Sequence, residues 1–146
     1  MKINTHQLTE NFLKYLKNLT NKEWGTKVTD GWTIKEEIAH LIGWEKEAAK
    51  ELPIAWKKHR RPWFMENNDD FARFNAKNTT EYKEFTPRQL IIEWKKWQKV
   101  FEDEISKIGE DKLRADYDFF EWVFDESGQG HYLEHFNQIK KALNKF

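Results

Sequence analysis

The chain has no cysteine, only three prolines and six glycines in 146 residues, and no net charge, because 25 basic and 25 acidic side chains cancel. The missing cysteine excludes disulfides, thiolate zinc centres, iron–sulfur clusters and a cysteine nucleophile, and it fits a reducing compartment, so the cytoplasm is the expected location. Balanced charge leaves no global field to attract nucleic acid or anionic lipid, and neither is expected as a partner. Long apolar runs are missing too. None approaches the roughly 18 residues of a membrane span, and the residues from Met1 to His6 have no apolar core of the kind a secretion signal needs. No membrane association and one soluble domain over residues 1–146 are therefore expected.

What the chain does have is aromatic bulk. Eight Trp, 11 Phe and four Tyr accompany an otherwise lean apolar content of 38%, so the core is expected to be built from a few large contacts. Leu8, Phe12, Tyr15, Leu16 and Leu19 recur at three-to-four spacing and predict a first helix. Thr33 and Glu36 form a capping-box pattern that opens a second, with an apolar face through Ile34, Ile38, Leu41, Ala48 and Leu52 and a break or kink at Pro53. A long crossover over residues 53–85 includes a segment of helical pattern between Asp69 and Tyr82. Thr86, Pro87 and Gln89 repeat the start signal for a third helix, whose stripe runs through Leu90, Trp94, Trp97, Phe101, Ile105 and Ile108 to Gly109. Residues 111–126 are densely aromatic and fit either a short helix or a loop. After Gly128 and Gly130, the residues Tyr132, Phe136, Ile139 and Leu143 predict a final helix, and no strand-like alternation is found. The expected fold is all-α: a four-helix bundle with a long crossover between the second and third helices.

His131 and His135 stand four apart on the final helix, so both rings project from one face and can converge on one ion. A pair of histidines lining a polar seam is the structural alternative. His40 lies beside the apolar stripe of the second helix, with Glu37 one turn before and Trp44 one turn after. Alone it reads as a hydrogen-bonded core histidine. Together, three neutral imidazoles from two helices would leave a position open for water or substrate, as catalytic metal sites do. Glu45, Glu47 and Glu134 lie near these positions in sequence and are candidates for a general base or for orienting a ring, with a solvated helix face as the alternative. The basic-aromatic run from Trp56 to Trp63 reads as solvated packing before it reads as a phosphate or base contact.

The run Gly31-Trp32-Thr33-Ile34-Lys35-Glu36-Glu37-Ile38-Ala39-His40-Leu41-Ile42-Gly43-Trp44-Glu45, followed by His131-Tyr132-Leu133-Glu134-His135, resembles the DinB/YfiT-like four-helix-bundle superfamily, and within it the DfsB/ClbS-like branch. The resemblance implies an up-down-down-up bundle. It also implies a divalent metal site, zinc or nickel, on His40, His131 and His135; Glu37, Trp44 and Glu134 are candidates for its pocket or for partners of its ligands by their spacing alone. Relatives include transferases and isomerases dependent on low-molecular-weight thiols, and proteins that protect against a reactive genotoxin. The activity so implied is metal-dependent transfer or hydrolysis on a small electrophilic or toxic molecule, with an exogenous thiol since the chain has none. The alternative is a non-catalytic bundle that binds a small molecule or another protein. A homodimer is plausible for such bundles.

Overall fold

The computed structural model describes residues 5–29, 31–65, 70–124 and 126–144, apart from the side chains of residues 5–7, 29, 121 and 126–131. The four long helices read from the sequence are present: α1 (Thr5–Lys17), α3 (Ile34–Lys58), α5 (Pro87–Ile108) and α8 (Glu126–Leu143). Four more accompany them among the described residues: α2 (Asn21–Trp24), α4 (Phe71–Glu81), α6 (Glu110–Ala115) and α7 (Tyr117–Val123). The fold is thus all-α at its core but is not the simple four-helix bundle expected. The additions have a physical reason, because backbone that carries large aromatics into the interior must pair its N–H and C=O groups, and short helices do this locally.

Local chemistry sets the principal helix starts. The Thr33 hydroxyl accepts from the Glu36 N–H while the Glu36 carboxylate accepts from the Thr33 N–H, and Thr86 with Gln89 does the same at α5, where Pro87 occupies the first turn. Thr20 and Glu23 form a third such box on α2. Gly109 ends α5 at φ 110° and ψ 118°, a positive-φ conformation open to glycine.

Three further expectations are corrected. Of the break or kink expected at Pro53, the break does not occur: α3 continues to Lys58, where His59 closes it in the left-handed conformation. Loss of one helical N–H costs about 3 kcal/mol, and complete burial of Leu52 and Ala55 on either side of the proline opposes that loss. A short antiparallel hairpin, β1 (Lys27–Thr29) with β2 (Trp32–Thr33), precedes α3 where no strand was expected. The two strands are too short for alternation to show in sequence; Asp30, between them in sequence, lies outside the described residues. Finally, α8 begins before Gly128 and Gly130 rather than after them.

Two apolar clusters divide the interior. The first gathers Leu8, Phe12 and Leu16 of α1, Trp24, the first half of α3 from Ile34 to Ile42, Leu90 and Trp94 of α5, and Phe136 and Ile139 of α8. Phe12 lies at its centre, stacked on Phe136 at 4.5 Å and edge-on to Trp94 at 5.2 Å. The second joins Leu52 and Ala55 of α3 to Leu113 of α6 and to Phe119 and Trp122 of α7, with Phe101, Ile105 and Ile108 of α5 against it. α3 and α5 therefore run through both. Within the basic-aromatic run, Trp56 meets Phe119 at 4.9 Å and Arg60 pairs with Glu51 at 2.6 Å, while Lys57, Lys58 and His59 are exposed. Among the described residues no helix is long and apolar enough to cross a membrane.

Candidate functional site

α3 carries Glu37, His40 and Trp44 one turn apart on a single face, as their spacing predicts. Glu37 and His40 are buried, at 1% and 6% exposure. Across from them α8 contributes His135, whose ring centroid lies 5.1 Å from that of His40. The structure thus brings together His40 and His135, which are 95 residues apart in sequence. The third histidine of the expected set, His131, falls within α8, but its side chain is outside the described residues. Among the described residues no group of three or more His, Asp or Glu side chains is arranged to hold a metal ion.

Each ring has a partner from another helix. His135 Nδ1 hydrogen-bonds the Glu37 Oε2 carboxylate oxygen. A carboxylate this deeply buried requires such a partner, since an isolated buried charge is strongly penalised. His40 Nδ1 lies 2.9 Å from Oδ1 of Asn75 on α4, and the Trp44 indole N–H donates to the same oxygen, also at 2.9 Å. Trp32 of the hairpin packs on the His40 ring at 5.0 Å, so the unanticipated strands supply a wall of the site. Imidazole is a ligand type that zinc and nickel accept, and a carboxylate on Nδ1 is a usual outer partner of a metal-bound histidine; His40 and His135 alone supply two such donors, so a cation there would need further ligands.

One turn along α3, Glu45 accepts a hydrogen bond from the Tyr132 hydroxyl of α8. Burial raises the Glu45 carboxyl to about 7, opposed by the Tyr132 hydrogen bond and reinforced by Glu102. The Tyr132 phenol is pushed well above its ordinary range by the same burial, with the Glu45 charge adding to it. Glu47 has a different task, accepting from the Trp63 indole at 2.8 Å. Glu134 is exposed and, among the described residues, its hydrogen bond is with Gln138 on its own helix.

Beside the histidines stands an aromatic wall. Trp44 contacts Phe74 at 4.5 Å, Phe71 at 5.3 Å and Trp63 at 5.8 Å, all of them partly exposed. Sequence reading did not find Asn75. Its only signal was membership of a helical pattern inside the crossover, and nothing local shows that the pattern docks on His40.

A DinB superfamily model matches residues 4–138, and the chain belongs to that superfamily. No curated protein and no solved structure matches it.

Proposed function

We propose that the chain binds a divalent cation, zinc or nickel, between α3 and α8 through His40, His131 and His135, and acts with it on a small electrophilic molecule by thiol-dependent transfer or by hydrolysis. The observation that carries this reading is the meeting of His40 and His135 at 5.1 Å with Nδ1 of His135 on a buried carboxylate. A cation held there would lower the pKa of a bound water or thiol and so supply a nucleophile near neutral pH. Glu37 fixes the His135 ring, and the wall formed by Trp44, Trp63, Phe71 and Phe74 offers an apolar side to a substrate while limiting water. The thiol comes from outside, because the chain has no cysteine. The resemblance to the DfsB/ClbS-like branch supports a reactive toxic molecule as substrate.

The same aromatic wall favours a second reading, a bundle that sequesters such a molecule without turnover. Elemental analysis of tag-free protein purified without chelator tests the first. Near-stoichiometric metal is expected in the parent and its loss in His131→Ala and His135→Ala, each shown by circular dichroism to be folded. No metal in the parent after reconstitution with zinc and with nickel overturns the cation reading. If the parent does bind metal, turnover of a panel of electrophiles should fall on adding chelator or omitting thiol; turnover indifferent to both overturns the mechanism, and stoichiometric protection of the electrophile without turnover leaves sequestration.

A further inference from the structure

We infer that Asn75 is the positioning residue of this site: oriented by the Trp44 indole, it holds His40 in the tautomer that carries its proton on Nδ1, making Nε2 the atom offered to a cation. The cation half of the inference rests on the function proposed above; the tautomer half does not.

The argument starts from a group with no ambiguity. An indole N–H can only donate, so the Asn75 atom 2.9 Å from Trp44 Nε1 must be the amide oxygen and not the amide nitrogen. That settles which way the Asn75 amide faces, a point a side-chain amide leaves open when its partners are themselves ambiguous. The same oxygen lies 2.9 Å from His40 Nδ1. An oxygen acceptor requires a proton on the nitrogen facing it, and in a neutral imidazole the lone pair then belongs to Nε2. On His135, too, Nδ1 faces an oxygen from another helix, a carboxylate oxygen of Glu37.

Asn75 is in place because α4 docks closely on α3. A Cβ built on Gly43 would lie 2.0 Å from Cγ of Asn78, so the glycine leaves the space that the Asn78 side chain fills. Three residues back on each helix are His40 and Asn75; three residues forward, Lys46 pairs with Glu81 at 2.8 Å.

The test is long-range proton–nitrogen correlation NMR on metal-free, nitrogen-15-labelled protein at a pH where imidazoles are neutral, with the His40 signals assigned by their loss in His40→Gln. Wild type should show His40 protonated on Nδ1. Asn75→Ala should move it towards the Nε2-protonated form, and Asn75→Asp, which keeps an oxygen acceptor, should not. Trp44→Phe should also shift it, because the amide is then able to turn its nitrogen towards the ring. An Nε2-protonated His40 in wild type, or an Nδ1 proton that survives in folded Asn75→Ala, overturns the inference. Zinc competition titrations address the other half: Asn75→Ala should bind about 10–100-fold more weakly than wild type, with Asn75→Asp near wild type. Unchanged affinity in Asn75→Ala refutes the positioning role towards a cation. Failure of wild type itself to take up zinc or nickel overturns the cation reading, whatever tautomer His40 shows.

Discussion

At the scale of single residues, Glu45 gives the sharpest consequence. Its carboxyl is raised to about 7 by burial, whereas in the unfolded chain it titrates near 4.5. The folded state thus prefers the neutral form, so the contribution to stability is complete below the unfolded value and is lost as pH rises through about 7. The full loss is on the order of 3 kcal/mol from a shift of this size. Glu45→Gln, which stays neutral and still accepts from Tyr132, is expected to remove most of that dependence. Urea unfolding at pH 5 and pH 8 checks it: the two midpoints should lie closer together in the variant, and the variant should be the more stable protein at pH 8. Position in sequence put Glu45 and Glu134 on equal footing as candidates, and only the packing of α8 against α3 separates them. Tyr132 turns its hydroxyl to Glu45, while Glu134 faces solvent.

At the scale of elements, what could be read in advance was what local chemistry dictates. The boxes at Thr33 and Thr86 are closed within four residues, so the starts of α3 and α5 were legible. Pro53, Gly128 and Gly130 misled for the complementary reason: propensity speaks of an isolated helix, whereas packing decides the actual one. The hairpin and the docking of α4 were not legible, because they depend on contacts between segments rather than on pattern within them. His40, Glu37 and Trp44 could be placed on one face from spacing alone, but Asn75 lies 35 residues beyond His40 and reaches it only through the α3–α4 interface. That interface makes its own prediction. Gly43→Ala gains helix propensity yet must displace the buried Asn78, and a net loss of about 1–3 kcal/mol is expected. Among the described residues Asn78 Nδ2 has no hydrogen-bond partner, so Asn78→Ala forfeits no bond seen there from that atom. The double variant Gly43→Ala/Asn78→Ala should therefore be more stable than Gly43→Ala, and chemical denaturation of the four proteins in the cycle measures the coupling.

At the scale of the whole molecule, α3 and α5 tie the two apolar clusters into one structure. Damage to either should then be felt everywhere. Leu113→Ala empties a fully buried position in the second cluster, far along α3 from the histidines, and should cost about 2–5 kcal/mol. Tryptophan fluorescence and far-ultraviolet circular dichroism should report the same lowered midpoint; separate transitions would show that the clusters unfold independently. The origin of the two ring partners has another consequence. His40 of α3 is held from α4, and His135 of α8 from α3, so three separate segments must assemble before both imidazoles are correctly presented. Whatever lodges between those rings recognises a surface that the denatured chain does not possess, and by mass action it raises the melting temperature. At a concentration 100 times its dissociation constant the gain is about 2.7 kcal/mol. Melting curves recorded across a library of metals, thiols and electrophiles thus become a search for the natural occupant that assumes nothing about its chemistry.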